Sequence, residues 1–361
     1  MGRLLLVVVL LTACGTVVPR AATVTPSPLA ASPQPSPSPA ATAQPPPIPL
    51  RSSFLAIVGG PKNSSVSLVA SDGAVLATAA VDLAPFRMHT QMSWTSASRT
   101  RLYYLNAGSD VRYLAPDGTT GTATHIALGA SEQAGFAVSP DDARIAVAVF
   151  SYTPLPDGSY KGMRLYVEDL SGGANHVDIF SSTTVAEFPI GWTSGRLILA
   201  VSEPGCCTTK TVNPYDATSY HVVDPATGTR LVSLCDVGRP AGPIEPGGVM
   251  CLKTGPDYVH LDGSSYLPPA AVPTQYPTAL SPDGTRVAGG QAQAQIVIFG
   301  PGGGWERLNK FGYVLGWLDQ GQIVIEQTDV PTLSVLDINT GAVAEISPGG
   351  AYLGTFPTSL T

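Results

Sequence analysis

Cysteine is the residue type with the most chemistry to offer in this chain, and Cys206, Cys207, Cys235 and Cys251 are gathered in one stretch of it. Four thiols allow three pairings. The favoured set is Cys235 with Cys251 and a vicinal Cys206-Cys207 bridge; crossed links between the two sets stay open. As two thiolates, Cys206 and Cys207 would instead suit a soft metal. Their spacing matches no zinc motif, and neither metal nor cofactor is expected. The catalytic signatures are missing: there is no Gly-x-Ser-x-Gly elbow, no His-Glu-x-x-His pair and no phosphate-binding loop. His89, His125, His176, His221 and His260 are dispersed, without flanking motifs that assign them a role. A carboxylate pair drawn from distant segments would leave no local mark. Hydrolase or lyase chemistry therefore stands as the alternative reading.

The fifth cysteine, Cys14, sits at the end of a different kind of segment. Met1-Gly2-Arg3 supplies one basic residue, Leu4 to Leu11 is an apolar run, and Thr12-Ala13-Cys14 follows. A charged start, a short apolar stretch and small residues form an export signal, too short to span a bilayer. Leu11-Thr12-Ala13-Cys14 also resembles the bacterial lipobox, which implies a lipoprotein whose Cys14 thiol is acylated and becomes the mature N-terminus. Acyl chains hold a protein to a membrane at about 0.8 kcal/mol per buried methylene. The expectation is a signal peptide over 1–13 and a lipid anchor at the cell membrane or cell surface. In such an oxidising compartment the remaining cysteines would form disulfides.

From Thr16 to about Pro49 the chain is largely Pro, Ser, Ala and Thr, including Pro33-Gln34-Pro35-Ser36-Pro37-Ser38-Pro39. This composition buries too little apolar surface to offset its ordering entropy. Residues 14–50 therefore read as a disordered, polyproline-like tether reaching up to about 100 Å, and residues 51–361 as the folded domain.

Within that domain one unit recurs. Gly-containing turns appear at Gly73, Gly118, Gly172-Gly173, Gly228, Gly263, Gly302-Gly303 and Gly341. The 268 residues from Gly73 to Gly341 span six intervals, a mean period of about 45, which suits a four-stranded propeller blade. A second hairpin precedes most of these turns, as Ser139-Pro140-Asp141-Asp142, Trp192-Thr193-Ser194-Gly195, Ser281-Pro282-Asp283-Gly284 and Trp317-Leu318-Asp319-Gln320-Gly321. Two hairpins per unit make four strands. The Ser-Pro-Asp-Gly turn followed by an apolar-small pair resembles the repeat of TolB-like and WD-repeat-like bacterial propellers. Ser281 to Gly284 matches it in full, and Ser139 to Asp142 carries Asp in place of Gly. The resemblance implies a fold and not an activity. The fold expected is all-β: a seven-bladed propeller of four-stranded antiparallel blades. The first unit lacks a strand and a segment is left over after the seventh, so the C-terminal strand should join blade one and close the ring. Trp94, Trp192 and Trp317 recur at one repeat position and should be core.

In such a ring, the two short turns of each blade share one face and the longer connections share the other. Two segments dominate that second face: Ser151 to Gly162, with Tyr152, Asp157, Tyr160 and Lys161, and Glu203 to Ser219, with Lys210, Tyr215 and Asp216. Long loops on a rigid scaffold are common binding surfaces, and exposed Tyr is a good contact residue. A net charge of −7 with only 19 Lys and Arg disfavours nucleic acid as a partner. The leading expectation is a scaffold that binds an envelope protein, peptide or glycan through these residues. The alternative is a hydrolase or lyase acting on envelope polysaccharide or peptide.

Overall fold

The computed structural model describes residues 55–58, 64–82, 94–153, 160–202, 217–242, 244–252, 256–266, 278–290, 294–300, 304–328, 332–346 and 350–355. Short apolar, β-branched runs between Gly and Asp turns form the inner strands and more polar ones the outer strands, in seven four-stranded antiparallel sheets. Blade 1 holds β1 (Leu55–Val58), β2 (Ser65–Val69) and β3 (Val75–Ala80). Blade 2 is β4 (Thr95–Ala97), β5 (Leu102–Asn106), β6 (Asp110–Leu114) and β7 (Thr120–His125). Blade 3 is β8 (Glu132–Val138), β9 (Arg144–Tyr152), β10 (Tyr160–Asp169) and β11 (Val177–Ser182). Blade 4 is β12 (Ala186–Thr193), β13 (Arg196–Ser202), β14 (Ser219–Val223) and β15 (Arg230–Leu234). Blade 5 is β16 (Arg239–Pro240), β17 (Val249–Leu252), β18 (Pro256–Val259) and β19 (Ser265–Tyr266). Blade 6 is β20 (Thr278–Leu280), β21 (Val287–Gly290), β22 (Gln295–Phe299) and β23 (Trp305–Phe311). Blade 7 is β24 (Tyr313–Trp317), β25 (Gln322–Glu326), β26 (Leu333–Asp337) and β27 (Val343–Ile346).

The last strand, β28 (Ala351–Thr355), completes blade 1 by pairing antiparallel with β1, with Leu55 opposite Thr355 and Val58 opposite Ala351. The two ends of the folded domain thus share one sheet, as the missing first strand implied.

The repeated motifs do repeated work. Ser139 Oγ lies 2.6 Å from Asp141 Oδ1 and accepts the Arg144 backbone N–H at 2.8 Å. Ser281 does the same with Asp283 and Arg286, at 2.6 and 2.9 Å. The Ser-Pro-Asp turn therefore closes the first hairpin of its blade from within. The next blade then docks a tryptophan: Trp192 Nε1–H donates to the Ala137 carbonyl at 3.1 Å, and Trp317 Nε1–H to the Ala279 carbonyl at 2.9 Å. Ala137 and Ala279 each stand two residues before the Ser of a Ser-Pro-Asp turn, so the two contacts share one register. Both indoles are buried, which places them in the core with their polar edges satisfied.

Blade 5 is the smallest sheet, since β16 and β19 have two residues each. Cys235, just after β15 of blade 4, is bonded to Cys251 in β17 of blade 5. The disulfide thus staples the weakest blade to its neighbour. Cys206 and Cys207 lie outside the described residues.

Candidate functional site

In the described sheets the second and fourth strands of each antiparallel blade end on the same face. On blade 3 this face carries an open cleft of about 480 Å³, lined by Ser151, Lys161, Gly162, Met163, Arg164, Ser181, Ser182 and Thr183. Its position follows from strand length. β9 continues to Tyr152 and β10 begins at Tyr160, so the two ends of the segment read as a loop from 151 to 162, five of its twelve residues, are sheet.

That extension changes what the predicted contact residues do. Tyr152 is buried, with its ring 6.3 Å from that of Tyr160 in an edge-on arrangement. Tyr160 is partly buried, and its hydroxyl lies 3.1 Å from the carbonyl oxygens of both Ser182 and Val185. Both tyrosines brace the floor and wall of the face, whereas the sequence suggested exposed contact residues. Lys161 is exposed and lines the cleft. Cys14, Asp157, Lys210, Tyr215 and Asp216 lie outside the described residues.

The charges of the cleft come from a pair that the sequence did not reveal. Arg164 on β10 donates through Nη1 to Glu132 Oε1 at 2.7 Å and through Nη2 to Oε2 at 3.3 Å. Glu132, the first residue of β8, also accepts the Gly129 N–H at 2.8 Å and the Ser151 hydroxyl at 3.1 Å. The Arg164 guanidinium foremost, then the Gly129 N–H, hold the Glu132 carboxyl down at about 2. Glu132 in turn pushes the Arg164 guanidinium upward. The Arg164 side chain remains 48% exposed, so a pinned, planar cation looks into the cleft. Among the described residues no carboxylate pairs with Lys161. With Glu132 spent on Arg164, Lys161 is the one uncompensated charge of the lining among the described residues, in a protein of net charge −7.

Hydroxyls fill the rest of the lining. Ser182 Oγ accepts the Thr184 and Val185 N–H groups at 3.0 and 2.9 Å, shaping the turn into blade 4. Ser181 and Thr183 stand beside it. A fixed guanidinium, an ammonium and several hydroxyls form a surface that receives anionic or hydroxylated groups. Elsewhere on the same face, Phe311 and Tyr313 flank Gly312 where blade 6 passes to blade 7, and are 44% and 38% exposed. The sequence signal was available there, as aromatic residues on either side of a glycine at a blade junction. Among the described residues, no group of three His, Cys, Asp or Glu side chains is arranged to hold a metal ion.

No family model matches the sequence, and no curated protein matches it. Solved structures do resemble the fold. Oligogalacturonate lyase from Vibrio parahaemolyticus superposes with a TM-score of 0.50 at 9% identity, over 76% of this chain and 84% of that one. BamB from Moraxella catarrhalis gives 0.37 at 13% identity, over 82% and 92% of the two chains. Putative TolB from Agrobacterium tumefaciens gives 0.36 at 15%, over 85% and 89%. At 9% identity the likeness to the lyase bears on architecture alone, and with seven four-stranded sheets the chain is an all-β, seven-bladed β-propeller.

Proposed function

We propose that this protein is an extracytoplasmic propeller, tethered by an acylated Cys14, that binds an envelope protein, peptide or glycan through its long-connection face. The blade 3 cleft is the observation that carries the reading. A rigid sheet holds the Arg164 guanidinium in one orientation through Glu132, so little conformational freedom is lost when it meets an anionic group. Lys161 adds a second cation, and Ser181 and Thr183 add hydrogen-bonding capacity at the same rim. The signal-like segment and Pro-rich stretch support delivery to the envelope.

Cross-linking in the native envelope, followed by purification of the acylated protein, tests the reading. The wild type is compared with an Arg164→Ala/Lys161→Ala variant and with one shortened across 203–216. Loss of the same cross-linked partner or glycan in both variants supports the proposal. Identical cross-link patterns in all three proteins would refute it. Labelling with a palmitate analogue that persists in Cys14→Ala would refute the anchor separately.

A further inference from the structure

Arg164 has more donors than Glu132 occupies. Its end-on fork, Nη1 and Nη2, is taken by the two Glu132 oxygens at 2.7 and 3.3 Å. A guanidinium carries five N–H groups in one plane, so a second, side-on fork remains, made of Nε–H and the other N–H of Nη2. Among the described residues nothing accepts from Nε. Arg164 lines the cleft and is half exposed. The second fork is therefore open to a ligand, in a plane that Glu132 has already fixed.

The strands set further groups around it. Ser181 of β11 stands directly opposite Arg164 of β10, which brings its hydroxyl beside the arginine stem. Among the described residues neither the Ser181 hydroxyl nor that of Thr183 is hydrogen-bonded. Gly162, two residues before Arg164, keeps the floor bare. A Cβ there would stand 3.1 Å from the Ser182 carbonyl oxygen and 3.3 Å from Thr183 Cγ2, and its φ of 153° disfavours a side chain. Arg164 and Lys161 carry two positive charges against the single negative one of Glu132, so one incoming anion makes the group neutral.

Two parallel N–H groups match the two oxygens of a carboxylate. What bears that carboxylate follows from the lining and its border. No lining residue is aromatic, so a sugar ring finds no flat apolar face to lie on. β11 is the outermost strand of its sheet. The blade 4 turn covers the start of this strand, since a Cβ on Gly228 would lie 3.3 and 3.6 Å from the Ile179 and Asp178 carbonyl oxygens. The other end, Ser181 and Ser182, borders the cleft. An extended peptide laid along a strand edge gains main-chain hydrogen bonds and sets alternate side chains into an adjoining pocket.

Granted that this cleft is the binding face, we propose that it is a socket for an acidic peptide. A Glu or Asp side chain of the partner sits in the free Nε/Nη2 fork of Arg164, Lys161 balances its charge, and the peptide backbone runs along the end of β11.

The test uses the full chain in detergent and two capped, fluorescently labelled peptides, one of alternating Ser and Glu and one of alternating Ser and Gln. Anisotropy should show the Glu peptide binding at least about tenfold more tightly than the Gln peptide, and at least about tenfold more weakly to Arg164→Lys, which keeps the charge and loses the planar fork. In nitrogen-edited NMR the Glu peptide alone should shift the Arg164 Nε–H resonance, identified by its loss in Arg164→Lys. Equal binding of the two peptides, undiminished binding to Arg164→Lys, or an unmoved Nε–H resonance overturns the proposal. So does trigalacturonate shifting that resonance where the Glu peptide does not, which would make the ligand a glycan. If Arg164→Lys fails to fold, the peptide pair on the wild type decides. Envelope cross-links lost in Arg164→Ala/Lys161→Ala while the Glu peptide fails to bind would keep the cleft as the binding face and overturn its acidic ligand alone.

Discussion

Tyr103 of blade 2 donates its hydroxyl to Asp142 of blade 3 at 2.9 Å, and Thr100 donates to the other oxygen of the same carboxylate. Asp142 occupies the turn position where the full motif has Gly284, and adopts the same left-handed backbone, with φ of 60° against 71°. The departure from Ser-Pro-Asp-Gly thus trades backbone ease for a bond between blades. Asp142→Gly would relieve the left-handed residue by up to about 1 kcal/mol but take the acceptor from the buried Tyr103 hydroxyl, leaving it only the Arg101 side chain as a partner. A net destabilisation of about 1–2 kcal/mol is expected. Paired with Tyr103→Phe in a double-mutant cycle by chemical denaturation, the coupling should be at least about 0.5 kcal/mol; additive effects would mean the contact contributes nothing.

The Cys235–Cys251 bond closes a loop of 16 residues. Replacing both cysteines with Ser should lower stability by about 3 kcal/mol, with blade 5 opening first because its outer strands are so short. Comparing melting of wild type and variant, each with and without reductant, checks this. Reductant should destabilise the wild type more than the variant.

Acid should weaken blade 3 through Glu132. Its folded carboxyl titrates at about 2, below the ordinary 4.5, so its contribution is complete above about pH 4.5 and is lost as pH falls toward 2. Because Arg164 is half exposed, solvent screening leaves about 1 kcal/mol of this. Glu132→Gln should therefore match the wild type at pH 2 and fall below it at pH 6. An unchanged slope between those pH values would show the pair to be without energetic weight.

Ending the chain at residue 348 removes β28 and leaves β1 with an unpaired edge. Such a truncation should melt at least about 10 °C lower, or fail to fold. Full retention of the melting temperature would mean that β28 does not hold blade 1.

The blades were legible because each is a local event: a Gly turn near every 45 residues, Ser-Pro-Asp before the second strand, and Trp on the inner strand. The connectivity of blade 1 followed from counting strands. The cleft was much less legible, since Glu132 and Arg164 stand 32 residues apart and meet only across the strands of one sheet. Tyr152 and Tyr160 were read as loop residues because Pro154, Pro156 and Gly158 mark a turn. The sequence gives no sign of how far β-pairing runs up to that turn.

Blade 1 is built from strands at opposite ends of the folded domain, and that fixes an order of assembly. Six blades can form from consecutive stretches as the chain emerges, whereas β1, β2 and β3 must wait for residues 351–355 before their sheet is whole. A chain delivered N-terminus first spends nearly all of its emergence with an open-edged first sheet, and the final few residues convert an arc into a ring. Damage near the C-terminus should therefore be felt at the first blade, nearly three hundred residues earlier in the sequence.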